Sequence, residues 1–348
     1  MGEARIGPAE LAAATAATAP AGELFRIEDL KVHFPLMQGL FAGLAGQKRR
    51  YVHALDGVSF SLARGEILAL VGESGCGKTT TGRTLLRLEA ATAGEAYYRG
   101  LPLSAFSERA LREYRKHAQI IFQDPYNSIN PKQTITDIVA EPLLVGGLVH
   151  GEAAKEARVI AALEDAGLRP ARDYLYRYPH ELSGGQRQRV CIAGAIVLDP
   201  AVIVAAEPVA SLDVSIRNDI LKLMVAHKEQ RGVSYLFITH DLSLAWVISD
   251  RIAVMYLGKI VEIGATEEVV SNPAHPYTKA LISVIPVPDP TRKRARTILA
   301  GETPNPIEIP SGCRFHPRCP EAIPDCAQVT PEDVELGGDH KAACIRLR

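Results

Sequence analysis

The sequence predicts an α/β protein in which helices cover a mostly parallel sheet, followed by a small segment of different character. Three observations carry this expectation. Short apolar runs alternate with helical stretches from about residue 24 to 265. A glycine-rich loop stands between one such run and a helix. From Asn272 onward, prolines and cysteines replace the alternation.

The chain of 348 residues exceeds one minimal domain and suits a large domain with an appendage. A hydrophobic share of 47% with 23% charged residues is the balance of an ordinary soluble globular protein. A net charge of −1 supplies no electrostatic reason to expect nucleic acid as a partner. The most apolar stretch, Cys191–Ala210, is interrupted by Asp199, Pro200, Glu207 and Pro208. A spanning helix needs about 20 nearly unbroken apolar residues, so none is expected. Residues 1–23, rich in Ala and Thr, lack the basic start and bulky apolar core of a secretory signal. They read as a flexible tail with a short helix over Pro8–Ala17.

The runs Ile67–Val71, Gln119–Phe122, Val202–Ala205 and Tyr235–Ile238 have the continuous apolar character of buried parallel strands. Glu152–Ala166 reads as a helix that Gly167 ends. Ile252–Tyr256 and Lys259–Ile263 flank Leu257-Gly258 and read as a hairpin. The segment Pro35–Arg50 is apolar and ends in basic residues; it reads as a long hairpin insertion, with a membrane-surface segment as the alternative. The proline density beyond Asn272 excludes long helices there and predicts an extended tail carrying a small cysteine module.

Gly72-Glu73-Ser74-Gly75-Cys76-Gly77-Lys78-Thr79 fits G-x-x-x-x-G-K-[ST] between the strand Ile67–Val71 and a helical run that starts at Thr80. That context identifies a P-loop. Its glycines let successive N–H groups turn toward phosphates, and the helix start adds partial positive charge. Lys78 is suited to the β- and γ-phosphates of ATP and the Thr79 hydroxyl to Mg²⁺. Cys76 reads as a small loop residue rather than a reactive thiol.

Further motifs follow in order: Gln123 before Asp124-Pro125, Leu182-Ser183-Gly184-Gly185-Gln186, Glu207-Pro208, Ser211-Leu212-Asp213 and Thr239-His240-Asp241. With the P-loop, this set resembles the ABC ATPases. The resemblance implies a RecA-like core with an antiparallel β region, a helical subdomain over about residues 134–181, and a cassette over 24–270. It implies that Gln123 senses the γ-phosphate and helps hold Mg²⁺, that Glu207 polarises the attacking water, and that His240 holds the γ-phosphate. It also implies that Ser183, Gly184, Gly185 and Gln186 face the ATP of a second ATPase, with Asp213 at the seam. Phe34 is the expected adenine-stacking ring and Tyr51 its rival.

Phe122-Gln123-Asp124-Pro125 with Ser128-Ile129-Asn130-Pro131, Tyr178-Pro179-His180-Glu181 and His275-Pro276-Tyr277-Thr278 resemble the oligopeptide/dipeptide importer ATPases, in particular the second of their usual pair. The implied assembly contains a sister ATPase, two membrane-spanning permease subunits and an extracytoplasmic solute-binding protein. The chain would lie peripherally on the cytoplasmic face, and peptides or a related solute would be the cargo. A soluble ABC ATPase without transport, and a slow regulatory nucleotide-binding subunit, are the alternatives. The second is motivated by Ala206, which stands where the family has a Mg²⁺-organising Asp. Gly194 likewise stands where an Arg is usual.

The extension, residues 271–348, carries Cys313, Cys319, Cys326 and Cys344 with spacing C-x₅-C-x₆-C-x₁₇-C. Four thiolates suit Zn²⁺ or an iron–sulfur cluster; the family resemblance favours [4Fe–4S]. Residues 311–348 are poor in large apolar side chains, so the module is expected to need such a staple to fold. Arg292-Lys293-Arg294 and Arg296 read as a solvated linker, with a membrane-headgroup contact as the alternative.

Overall fold

The computed structural model describes residues 5–16, 22–36, 49–210, 212–285 and 297–348. Most of the Pro35–Arg50 insertion, Ser211 and the basic run from Arg292 to Arg296 lie outside the described residues.

Along the chain run α1 (Pro8–Ala16), β1 (Glu23–Pro35), β2 (Tyr51–Ala63), β3 (Ile67–Val71), α2 (Lys78–Leu85), β4 (Ala93–Tyr98), β5 (Leu101–Pro102), α3 (Glu108–His117) and β6 (Ala118–Ile121). Then come α4 (Pro125–Ser128), α5 (Ile135–Val145), α6 (Glu152–Asp165), α7 (Gly184–Ile196), β7 (Val202–Ala206), α8 (Val214–Arg231), β8 (Ser234–Thr239) and α9 (Leu242–Ile248). The last elements are β9 (Arg251–Tyr256), β10 (Lys259–Ala265), α10 (Thr266–Ser271), α11 (Pro276–Ser283), β11 (Val334–Gly337) and β12 (His340–Ala342). The chain forms two compact units that do not follow its linear order. One draws on Met1–Phe25, Leu62–Ile67 and Tyr98–Ile238, the other on Arg26–Ser61, Leu68–Tyr97 and Thr239–Arg348.

In the first unit β6, β7 and β8 run parallel, with Ile121 opposite Ala205 and Ala206 opposite Ile238. Every residue of β7 and β8 is buried, which is why both read as unbroken apolar runs rather than alternating ones. Tyr114 on α3 meets Phe25, Tyr98 and Phe106 edge-on, at 6.5, 5.0 and 5.7 Å between ring centroids. The α5 and α6 helices, with single 3-10 turns at Ala171–Asp173 and Pro179–Glu181, fill the expected helical region. Thr134 caps α5 by accepting from the Asp137 N–H, and Gly167 takes a left-handed conformation just past α6. Residues 5–16 hold the expected short helix, and it is packed: α1 lies on α3, Leu11 is 1% exposed, and Ile6 bridges Phe106. Burial of Leu11 holds the helix together with the Arg99 guanidinium, which donates to the Thr15 carbonyl at 2.6 Å.

In the second unit β3 runs parallel to β9, with Val71 opposite Val254. The β9–β10 pair is the expected hairpin, and its turn residues Leu257 and Gly258 both have positive φ, 43° and 77°. That is the conformation a two-residue turn needs to match strand twist. The strands β2, β1 and β4 lie side by side in that order.

The C-terminal extension departs from expectation. It is not held by its cysteines alone. Its β12 strand adds to β10, with Glu262 opposite Ala342, and β11 pairs with β12. Phe315, 1% exposed, lies among Tyr256, Tyr277 and His275 at 5.2, 5.3 and 5.6 Å. His340 Nε2 meets the buried Glu262 Oε1 at 2.8 Å, and Arg314 donates to Asp56 and to the Leu257 carbonyl. The missing apolar surface is thus supplied by the sheet edge on which the extension docks. Burying one such phenylalanine contributes about 1.5–3 kcal/mol.

Candidate functional site

The P-loop lies in the second unit, between β3 and α2. Lys78 is 5% exposed and its ammonium donates to the carbonyls of Gly72 and Glu73 at 2.7 and 2.9 Å. Gly77 precedes α2 with φ 111°, and a Cβ there would come within 2.4 Å of the Ala54 carbonyl oxygen. At Gly72 a Cβ would lie 2.1 Å from the Met255 carbonyl oxygen. Both glycines are therefore required by close backbone approach, and the loop has the tight curvature of a phosphate cradle. Ser74, Gly75 and Thr79 are exposed on it, where a nucleotide and its Mg²⁺ can reach them. Thr80 is half-buried in the first turn of α2, and Cys76 is buried. Burial raises the Cys76 thiol pKa despite the nearby Lys78 charge, which fits an inert loop residue.

In the first unit, Gln123 follows β6 and Glu207 follows β7. The Gln123 amide Nε2 donates to Glu207 Oε2 at 2.8 Å, joining residues 84 apart in sequence. Glu207 has φ 47°, a conformation costly for a side chain of its size. It is held there by its N–H donating to the Ile238 carbonyl at 2.8 Å and by its own carbonyl accepting from Ala210 at 3.2 Å. Ala206 ends β7, buried, with no group able to ligate a cation.

The Leu182–Gln186 segment opens α7. Ser183 is the N-cap: its hydroxyl accepts from the Gln186 N–H at 3.3 Å, and Gln186 Oε1 accepts from the Ser183 N–H at 2.9 Å. This capping box turns the segment into a rigid helix start. Gly185 is buried, and a Cβ there would meet Ile216 at 2.7 Å, whereas Gly184 has room. The Arg187 guanidinium lies over the Tyr126 ring, 4.1 Å from its centroid.

His240, in the second unit, is exposed just after β8. The next residue, Asp241, caps α9 by accepting from Ser243 N–H at 2.9 Å. Phe34 and Tyr51 are almost equally exposed, at 37% and 36%, on adjoining strands β1 and β2. Exposure does not separate the two rings.

The four tail cysteines are free, with Cys326 and Cys344 buried. The Cys313 N–H donates to the Cys326 carbonyl at 2.8 Å. Burial, then the charges of the other cysteines, raise the thiol pKa of Cys313 and push that of Cys319 up to about 11. A thiol set so disfavoured as anions is one that a cationic centre would relieve. Among the described residues, however, no three of these sulfurs lie within 4.8 Å of one another. Tetrahedral Zn²⁺, with Zn–S of about 2.3 Å, needs sulfurs about 3.8 Å apart. The set within that spacing is His33, His53 and Asp56, but Arg314 already occupies the Asp56 carboxylate, which opposes a cation there.

Sequence reasoning missed Tyr277, Thr303 and Arg318, all of which bind Glu73 of the P-loop. Arg318 stands beside Cys319 in a segment read only for its cysteines, and a carboxylate inside an anion-binding loop was the one available signal.

Comparison with known proteins agrees with this geometry. Residues 55–210 match the ABC transporter family, and residues 261–326 match the C-terminal region of oligopeptide/dipeptide transporters. The chain is 46% identical over 327 residues to the putative oligopeptide transport ATP-binding protein YkfD of Bacillus subtilis, spanning 93% of this chain and 96% of that protein. It is 49% identical over 320 residues to the dipeptide transport ATP-binding protein DppF of Haemophilus influenzae, spanning 91% and 95%. The structure of cbiO1 from Clostridium perfringens, part of the ABC transporter complex cbiONQ, matches with a TM-score of 0.61 at 26% identity, covering 72% of this chain and 92% of that one. Among the described residues no helix is long and apolar enough to cross a membrane. A nucleotide loop, a capped signature helix, a glutamate at the end of a buried strand and the characteristic extension occur in one chain, and it belongs to the ABC ATPases that are the ATP-binding subunits of oligopeptide/dipeptide transporters.

Proposed function

We propose that this chain hydrolyses ATP to drive import of dipeptides or oligopeptides. It would do so peripherally, on the cytoplasmic face of the membrane, with a non-identical sister ATPase, two permease subunits and an extracytoplasmic solute-binding protein. The observation that carries the catalytic reading is the 2.8 Å hydrogen bond from Gln123 to Glu207, which orients the carboxylate expected to act as base. Lys78 would bind the β- and γ-phosphates, Thr79 and Gln123 would hold Mg²⁺, and His240 would hold the γ-phosphate. Phe34 or Tyr51 would stack on adenine. Ser183 to Gln186 would serve the ATP of the sister subunit, their capped helix start being an anion-binding end. A groove of about 550 Å³ in the first unit, lined by Phe122, Ile129, Pro142, Val145 and Val190 among others, supports docking of a permease segment.

One observation favours a slower site than usual. Ala206 leaves Mg²⁺ without the carboxylate that the family places there, so turnover here would lag behind that of the sister site. For the extension, four buried or half-buried thiols within one small module support a [4Fe–4S] cluster, with Zn²⁺ as the rival. Such a cluster would add a structural link and no step in ATP chemistry.

The test uses the chain assembled with its permease subunits. Glu207→Gln should bind ATP normally while hydrolysis falls by at least about 100-fold. Unchanged turnover would remove Glu207 from the base role, and recovery of identical copies of this ATPase alone would overturn the sister pairing.

A further inference from the structure

A carboxylate in the second position of a phosphate-binding loop is an electrostatic liability, because it repels the anion that the loop must hold. Glu73 occupies that position. The structure shows how its charge is handled. Arg318 of the C-terminal extension meets it with a two-pronged bond, one guanidinium nitrogen 2.7 Å from Oε2 and another 3.1 Å from Oε1. Thr303 donates its hydroxyl to the same Oε2, and Arg318 also donates to Thr303 at 3.2 Å. From α11, the Tyr277 hydroxyl accepts from the Glu73 backbone N–H at 3.0 Å.

The contact is built rather than incidental. The Arg318 side chain is 8% exposed and that of Glu73 29%, so solvent screens the pair little. Arg318 also lies over the Tyr256 ring, and Phe315, three residues earlier, is packed against Tyr256 and Tyr277. Burial works against the Glu73 carboxylate, yet the bonds from Arg318 and Thr303 and the charges of Arg318 and Lys78 outweigh it and hold the carboxyl below its ordinary range. The Glu73 carbonyl, meanwhile, accepts from the Lys78 ammonium. Each polar group of this P-loop residue is therefore tied, its N–H and carboxylate by the extension and its carbonyl by the phosphate-binding lysine.

We propose that Arg318, with Thr303 and Tyr277, positions the P-loop and neutralises Glu73, so that the C-terminal extension sets the affinity of the chain for ATP. This rests on the assignment of residues 72–80 as the ATP-phosphate loop. Loss of Arg318 frees the start of the loop and leaves an unpaired carboxylate beside the phosphates, two effects that both weaken nucleotide binding.

The test measures equilibrium binding of a fluorescent ATP analogue with Mg²⁺ to the full chain. Arg318→Ala should weaken binding by about tenfold or more. Arg318→Lys should recover only part of the loss, because an ammonium lacks the fork that grips both oxygens. The double variant Glu73→Gln with Arg318→Ala should bind more tightly than Arg318→Ala alone, since the uncompensated charge is gone; a purely structural role for Arg318 predicts no such recovery. Wild-type affinity in Arg318→Ala, or no recovery in the double variant, overturns the proposal. Should Arg318→Ala not fold, Thr303→Val combined with Tyr277→Phe breaks the other bonds to Glu73, and unchanged affinity there overturns it equally. Lys78→Ala separates this reading from the one beneath it. Full affinity in Lys78→Ala sinks the P-loop assignment, whereas loss there with wild-type affinity in the Arg318 and Glu73 variants sinks only the clamp.

Discussion

At the scale of single residues, the strand end at Ala206-Glu207 concentrates the chemical question. Glu207 is forced into a left-handed conformation and held there by backbone bonds to Ile238 and Ala210. Strain of this kind persists where surrounding structure over-determines it, and it aims the carboxylate at Gln123. One position earlier, Ala206 offers nothing to a divalent ion. Restoring the carboxylate with Ala206→Asp should lower the Mg²⁺ concentration for half-maximal hydrolysis by roughly tenfold, as expected when a supporting ligand is regained. A Mg²⁺ titration of ATPase activity checks this, and an unchanged midpoint with ATP binding intact would show that another group compensates. Gly194, the second departure from the family, is not imposed by space, because a Cβ there meets nothing within 4 Å. Nothing in the structure explains that glycine.

At the scale of elements, the extension is the part whose physics changed most between sequence and structure. Its prolines do exclude long helices, and α11 spans only Pro276–Ser283. Yet β12 continues the sheet at β10, and Phe315 fills an aromatic pocket on the same unit. Docking therefore supplies part of the order that the sequence by itself assigns to a metal staple. Burial still disfavours the anionic form of the Cys313, Cys319 and Cys344 thiols. Protein purified without oxygen should be brown and contain iron with acid-labile sulfide. Colourless protein with one zinc per chain would decide for Zn²⁺, and folded protein with neither would show that docking alone suffices.

At the scale of the whole molecule, stability should depend on pH through His275. This residue caps α11, its Nδ1 accepting from the Tyr277 N–H at 3.1 Å, and its own N–H donates to the buried Glu262 at 2.9 Å. Burial, with a smaller contribution from the Lys279 charge, pushes its pKa from 6.5 down to about 3. Between those values the unfolded chain binds a proton that the folded chain refuses. The contribution to stability is therefore complete above pH 6.5 and is lost as pH falls toward 3, at up to about 1.4 kcal/mol per pH unit. His275→Asn keeps a capping oxygen without the titration, so denaturant unfolding of this variant between pH 4 and 7 should show a flatter acid limb than the wild type. Equal slopes would remove His275 from the account.

The P-loop, the Leu182–Gln186 motif and the hairpin were legible in the sequence because each is decided within a few residues. Gly77 and Gly72 are required by backbone approach, Ser183 and Gln186 are spaced to cap one another, and Leu257-Gly258 sits between two apolar runs. The motif order also determined the family. What the sequence could not determine were partnerships across long stretches of chain. Arg318 reaches Glu73 over 245 positions, Gln123 reaches Glu207 over 84, and Phe315 finds its pocket among residues near 256 and 277. Local sequence sets backbone geometry and chemical type. Which buried charge meets which depends on the packing of strands and extension, because only there does desolvation make pairing obligatory.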